Sequence, residues 1–208
     1  MDLIIFGSTG PTGRLLVQQA LEQGHRITAF ARSPAKMTIQ HANLSIAQGD
    51  VLDYASVEAA VKGKDAVLSA LGVRKLGRTA VLSEGTRNIL MAMEEHGVRR
   101  LIQMSSLGVG ESKGQFPWHL EILVWLFLRN IYADKEVQER FIRESSVDWT
   151  IVRPAALTNG PRRGAYRAWI GKPDPPIKGR ISRADVAEFV LKQLTDDRYL
   201  KQAPGLSY

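Results

Sequence analysis

The 208-residue chain predicts an α/β fold, a doubly wound parallel sheet in one domain spanning 1–208, with a small C-terminal segment beside it. Three observations carry this expectation. Short apolar runs alternate with segments of helical periodicity, the pattern of βαβ units with right-handed crossovers. The first run, Leu3–Phe6, is apolar on both faces, as a strand covered on both sides must be. Directly after it stands Gly7-Ser8-Thr9-Gly10-Pro11-Thr12-Gly13, a glycine-rich turn that opens a helix.

The elements follow in order. Leu3–Phe6 is the first strand, and Thr12–Gln23 the first helix, ended by Gly24. Strands are expected at Arg26–Ala31, Leu44–Gly49, Asp65–Leu71, Arg100–Ser105 and Trp149–Arg153. The helices between them are a short one at Ser56–Lys62 and a long one at Thr79–His96, which stops at Gly97. One or two more fill His119–Ser145, and Ala184–Leu194 is the last. Two stretches break the rhythm, Gly108–Trp118 and Asn159–Gly179, both rich in glycine. Segments leaving the carboxyl ends of the strands border the ligand crevice in such a sheet, so 108–132 and 158–183 are read as the substrate side. No internal repeat or low-complexity tract is present.

Composition narrows the function. An apolar fraction of 44% and a charged fraction of 24% are ordinary for a globular chain and exclude collagen, coiled coil and wholesale disorder. The absence of cysteine excludes a thiolate nucleophile, an iron–sulfur cluster and a disulfide scaffold. The four histidines, His25, His41, His96 and His119, lack metal-ligand spacing, so no metal is expected. No signal peptide is read at the N-terminus. The longest apolar run, Ile122–Leu128, is far short of the roughly 20 residues of a membrane span. A soluble cytoplasmic protein is expected. The net charge of +7 admits nucleic acid, anionic lipid or a polyanionic small molecule. Its densest cluster is Arg162, Arg163, Arg167, Lys172, Lys178, Arg180 and Arg183, and no nucleic-acid motif accompanies it.

The glycine turn carries the chemistry. Gly7 permits the tight turn, Gly10 lets backbone amides approach a pyrophosphate, and Gly13 lets helix and strand pack closely. The helix N-terminus behind it offers free N–H groups and a positive dipole end. That combination points to a dinucleotide, held by Ser8, Thr9, Pro11 and Thr12 beside the three glycines. A site for NAD ends the second strand with an acid that accepts from the ribose 2′-OH. This chain has Phe30-Ala31-Arg32-Ser33-Pro34-Ala35-Lys36 instead. Arg32 and Lys36, with Ser33 between them, suit a 2′-phosphate, so NADPH/NADP is expected over NADH. Asp50 and Val51 stand beside the adenine, and Ala70-Leu71-Gly72 beside the middle of the cofactor.

These residues resemble a known group. GSTGPTGR at the start, Phe30-Ala31-Arg32, Gly49-Asp50-Val51, Ser83-Glu84-Gly85-Thr86-Arg87-Asn88 and Met104-Ser105-Ser106 are similar to atypical short-chain dehydrogenases of the NmrA-like group. The nearest resemblance is to the flavin reductase/biliverdin-IXβ reductase family. It extends through Gly164-Ala165-Tyr166 and Ile181-Ser182-Arg183-Ala184-Asp185 to Tyr208. The resemblance implies a monomeric NADPH-dependent reductase of flavins or linear tetrapyrroles; the run 122–128 leaves a weak dimer open. It implies cofactor contacts at Gly7, Thr9, Gly10, Thr12, Arg32, Lys36, Asp50, Val51, Leu71, Gly72, Leu82 and Met104, with Pro154 and Ala155 at the same edge. The family's active-site serine matches Ser106. Ala156 stands where that family has a histidine over the nicotinamide site, and Lys135 matches its other cofactor-side histidine.

Ordinary short-chain dehydrogenases use Tyr-x-x-x-Lys, whose phenol protonates the carbonyl oxygen. No tyrosine here has a lysine four residues on. Tyr132 and Lys135 are three apart and share a helical face, a degenerate pair. Flavin N5 accepts hydride directly, so placement matters more than a proton relay for such an acceptor. Ser106, Tyr132 and Lys135 are the expected catalytic residues, and the aromatic stretch from Phe116 to Tyr132 suits a planar acceptor. Two competing readings remain: a non-catalytic NADP(H)-binding sensor, and an assembly or RNA-associated factor on a relict fold.

Overall fold

The computed structural model describes residues 1–73, 80–115 and 118–208, without the side chains of 118–125. Its strands are β1 (Asp2–Phe6), β2 (Arg26–Ala31), β3 (Leu44–Gln48), β4 (Ala66–Ser69), β5 (Arg100–Met104) and β6 (Asp148–Pro154). Four three-residue strands follow: β7 (Ala156–Thr158), β8 (Arg167–Trp169), β9 (Arg180–Ser182) and β10 (Gly205–Ser207). The helices are α1 (Pro11–Glu22), α2 (Tyr54–Val61), α3 (Val81–Glu95), α4 (Trp118–Glu144) and α5 (Arg183–Lys192).

Eight strands form one sheet in the order β3-β2-β1-β4-β5-β6-β10-β8. All neighbours from β3 to β10 are parallel, and β8 is antiparallel to β10. The strand order reverses between β1 and β4, the switch point at which an open α/β sheet binds its ligand. A separate parallel pair, β7 and β9, stands off the end of β6.

The sequence explains why both faces are covered. Leu3 and Ile5 of β1 pack with Leu16, Val17 and Ala20 of α1 and with Val186 and Val190 of α5. Ile4 and Phe6, the alternate residues, pack on the other face with Val57 of α2, Ile89 and Met93 of α3 and Ile142 of α4. The period-2 alternation of an all-apolar strand thus feeds two cores, one per face. Among the described residues no helix is long and apolar enough to cross a membrane.

The structure corrects the expected elements in detail. Of the one or two helices expected over His119–Ser145, the span holds one, α4. The strand expected at Asp65–Leu71 runs only over Ala66–Ser69; Ala70 still donates to the Phe6 carbonyl at 2.9 Å, and its carbonyl and the Leu71 N–H back the glycine loop. The four short strands after β6 add to the expected set: three residues are too few to show a period, and their pairing is decided by distant chain. The far edge is accordingly mixed rather than wholly parallel. The first residue of the expected Thr79–His96 helix lies outside the described residues.

Candidate functional site

The glycine loop leaves β1 at the carboxyl edge of the sheet. Gly7 has φ +71°, and a Cβ there would lie 2.4 Å from the Ala70 carbonyl oxygen, so the end of β4 backs directly onto the loop. A Cβ on Gly13 would lie 2.1 Å from the Gly7 carbonyl oxygen, which is why loop and helix can close on one another. Gly10 is the N-cap of α1; no side chain caps the helix and no acid occupies its first turn. Its leading N–H groups therefore keep their positive end open toward the edge of the sheet. The cradle that a Cβ would fill and this uncapped helix start fit a pyrophosphate group. The Ser8 hydroxyl is buried and donates to the Phe30 carbonyl at 2.9 Å, which leaves the backbone of Ser8 in the loop.

Arg32 stands at the tip of β2, largely exposed, with its guanidinium 4.0 Å from the Asp50 carboxylate. Ser33 occupies the N-cap position of the single helical turn Pro34–Lys36, without a side-chain cap. Arg14 of α1 donates to the Lys36 carbonyl at 2.7 Å and holds that turn against the first helix. Asp50 accepts the Leu52 N–H at 3.0 Å, an Asx turn that shapes the strand end. Val51 beside it is buried against Gly85 of α3, where a Cβ would strike it at 2.7 Å, and its carbonyl accepts from Asn88 at 2.9 Å. The turn after β3 is thus built on α3.

At the other side of the switch point, Met104 ends β5 and Pro154 ends β6, both buried. Ala155 donates its N–H to the Leu206 carbonyl at 2.9 Å. Leu71 is partly buried and Gly72 open. The Leu82 side chain is wholly buried in α3.

Ser106 and Tyr132 come together: Ser106 Oγ lies 3.1 Å from the Tyr132 hydroxyl, which also donates to the Leu107 carbonyl at 3.1 Å. A hydroxyl on the loop after β5 is thereby fixed by a phenol from α4. Burial raises the Tyr132 pKa, with the Ser106 hydrogen bond lowering it in part, so the phenol stays protonated. Lys135 follows one turn on. Burial pulls its ammonium down to about 8 against the attraction of Glu139 and Asp134. Among the described residues it makes no direct salt bridge.

Three further features escape a reading of the sequence. Asp134, buried, accepts the Leu82 N–H at 3.0 Å and the Ser83 N–H at 3.1 Å, and takes the Ser83 hydroxyl as well. Gln138, one turn below, donates to the Leu82 carbonyl at 3.2 Å and to Thr86 Oγ1 at 2.8 Å. Arg153 of β6, 1% exposed, forks onto Glu139 of α4 and also reaches Glu111 at 2.9 Å. Burial raises the Glu111 carboxyl, but the Arg153 hydrogen bond and the nearby arginines outweigh it and hold it at about 2. Only the helical spacing of Asp134 and Gln138 hints at their seam with α3.

The basic cluster is dispersed. Arg163 stacks on the Tyr208 ring, Arg167 donates to the carbonyls of Asp174 and Pro175, and Arg183 pairs with Asn159. A groove of about 520 Å³ beside the start of α1 is lined by Pro11, Leu15, Gln18, Arg162 and Arg183. The side chains of the aromatic stretch from Phe116 to Trp125 lie outside the described residues; Phe127 is exposed, and Tyr132 turns to Ser106. Far from this edge, Glu58, Glu95 and His96 bring ligand atoms within 4.8 Å, but His96 pairs with Glu58, and Tyr54 holds Glu95.

The family model described as NAD(P)H-binding matches residues 7–197. A chloroplastic Arabidopsis thaliana protein of uncharacterized function, At2g34460, is 30% identical over 94% of this chain and 72% of its own length. Among solved structures, a short-chain dehydrogenase/reductase from Veillonella parvula in complex with NADP superposes with TM-score 0.84 at 21% identity, over 100% of this chain and 94% of its own. ChuY, an anaerobilin reductase from Escherichia coli O157:H7, superposes with TM-score 0.83 at 22% identity, over 100% and 97%. At these identities the two structures show the fold.

Proposed function

Because the chain belongs to the NAD(P)H-binding family, we propose that it is an NADPH-dependent reductase of a planar acceptor, a flavin or a linear tetrapyrrole-like molecule. The observation that carries the reading is the Ser106–Tyr132 hydrogen bond with Lys135 one turn away, at the same sheet edge as the uncapped start of α1. β1 and β5 lie in one parallel sheet, so the loops leaving their carboxyl ends share that edge.

Bound NADPH supplies a hydride from its nicotinamide ring. The Gly7–Gly13 loop and the N–H groups of α1 hold the pyrophosphate, and Arg32 and Lys36 hold the 2′-phosphate. Tyr132, kept protonated, fixes the Ser106 hydroxyl, which orients the acceptor or the nicotinamide amide. Lys135 presents positive charge and an available proton near neutral pH, where an acceptor gaining a hydride becomes more basic. Segments 108–132 and 158–183 flank the acceptor, and the Arg162–Arg183 groove suits its acidic substituents.

NADPH oxidation by the purified protein with FMN, and separately with biliverdin, tests the reading. Turnover that falls at least tenfold in Ser106→Ala supports it. Tight NADPH binding with no turnover of either acceptor defeats it and favours the sensor reading, for which the missing Tyr-x-x-x-Lys speaks.

A further inference from the structure

Helix α3 begins without a cap of its own. Its N-cap residue, Ala80, carries no side chain able to accept a hydrogen bond. The N–H groups of Leu82 and Ser83, orphaned at a helix start, are taken instead by the carboxylate of Asp134, reaching across from α4. The same carboxylate accepts the Ser83 hydroxyl, so a buried anion sits on the positive end of a fifteen-residue helix.

The position of this contact is informative. Asp134 directly precedes Lys135 and lies two residues after Tyr132, the phenol that fixes Ser106. At its other side, α3 packs Gly85 on Val51 and holds the Val51 carbonyl through Asn88. A continuous set of contacts therefore runs from the turn after β3, through α3 and Asp134, to the turn of α4 that carries Tyr132 and Lys135.

We propose that Asp134 is a positioning residue, which sets the register between the dinucleotide-supporting helix α3 and the reacting turn of α4. This rests on the reductase reading above and adds a residue outside the motifs that suggested it. The role exceeds capping. A cap in cis at position 80 would satisfy one of these N–H groups without joining α3 to the turn of α4 that carries Tyr132 and Lys135, leaving Gln138 one turn below as the tie between the two helices. Asp134 also faces Lys135, as does Glu139 on the same helix; Glu139 is held by Arg153 of β6, which also binds Glu111 from the loop after β5.

The test compares Asp134→Ala with the double variant Asp134→Ala, Ala80→Ser, which returns a neutral cap to α3. NADPH affinity is read by nicotinamide fluorescence, FMN reduction by kcat and KM across pH, and stability by thermal melting. The expected result is that adding Ala80→Ser recovers most of the lost melting temperature. Meanwhile kcat stays about ten- to a hundredfold down, as for a displaced reacting group, and KM for NADPH stays several-fold up. The alkaline limb of the rate stays shifted to lower pH, since Lys135 has lost a neighbouring anion. Recovery of both stability and turnover would reduce Asp134 to a cap and overturn the proposal, as would an Asp134→Ala protein with unchanged kinetics. If adding Ala80→Ser restores no stability, the kinetics of folded Asp134→Asn decide: kcat about tenfold down with KM for NADPH raised supports positioning, and wild-type values overturn it. Should wild type turn over no acceptor, the reductase reading fails. NADPH affinity then tests positioning alone, weakened binding in the double variant supporting it and wild-type binding overturning it.

Discussion

At the residue scale, the glycine loop is set by steric limits. A methyl group on Gly13 would lie 2.1 Å from the Gly7 carbonyl oxygen, a backbone atom that cannot rotate aside. Gly13→Ala must therefore push α1 away from the loop. The expected result is a loss of about 1–3 kcal/mol in chemical denaturation, typical of overpacking, with NADPH binding weakened at least tenfold in a fluorescence titration. Lys135 gives a prediction in pH. Its folded pKa of about 8 lies below the usual 10.5 because burial penalises the ammonium. A step that needs the protonated amine slows as pH rises through about 8. The rate of FMN reduction should show that alkaline limb, and Lys135→Met should remove it. The stability sign runs the other way. Between about 8 and 10.5 the unfolded chain holds a proton that the folded chain has released, so stability increases with pH there. A limb that survives in Lys135→Met would assign it to another group.

At the scale of elements, a buried ion pair joins β6 to α4. The Arg153 and Glu139 side chains are 2% and 4% exposed and bind through two hydrogen bonds, while Glu111 brings the loop after β5 to the same guanidinium. Gln115 extends the fastening, donating to the Gly171 carbonyl at 2.9 Å and accepting from Trp169. The loop rooted at Ser106 is thereby tied to α4 on one side and β8 on the other. Removing one partner from such a pair leaves an uncompensated charge in a medium that solvates it poorly, at about 3–5 kcal/mol. Arg153→Met should lose that much in denaturant unfolding, and Arg153→Met with Glu139→Gln should recover a large part. Additive losses in the double variant would show that the two charges do not interact.

At the scale of the whole molecule, the parts legible in the sequence are those whose signal is local. β1, the glycine loop and α1 are readable because apolar strand, turn glycines and helical period adjoin within about twenty residues. Arg26–Ala31 is legible with its observed bounds for the same reason. The family resemblance points to Ser106, and spacing to Tyr132 and Lys135, and the fold brings the first two within hydrogen-bonding distance. Asp134 and Arg153 stay hidden because their importance lies in partners 52 and 14 residues away, which no periodicity reports. Strands β7 to β10 stay hidden for a related reason, since each is three residues long and pairs with distant chain, β7 with β9, and β10 with β6 and β8.

That assembled edge depends on its last residue. Tyr208 exchanges main-chain hydrogen bonds with Lys178 and Arg180, and its hydroxyl accepts the Ser182 N–H at 3.2 Å and donates to Asp185 at 2.6 Å. Asp185 in turn accepts the N–H groups of Arg163 and Gly164 at 2.7 and 2.9 Å, and the Arg163 guanidinium stacks on the Tyr208 ring. One side chain thus gathers both ends of the 159–183 excursion onto the start of α5. Tyr208→Ala removes the ring and the hydroxyl but leaves the main-chain bonds. The glycine loop is built from β1, β4 and α1, and none of the clasp's hydrogen bonds reaches it among the described residues, so NADPH affinity should remain within about twofold of wild type. The excursion should loosen locally, because the hydroxyl that joins Ser182 to Asp185 and the ring under Arg163 are lost together. Trypsin should then cut at Arg162 or Arg163 several times faster than in wild type, read by mass spectrometry before global unfolding sets in. Equal cleavage rates would mean that β7, β9 and the Asp185 turn hold the excursion without Tyr208.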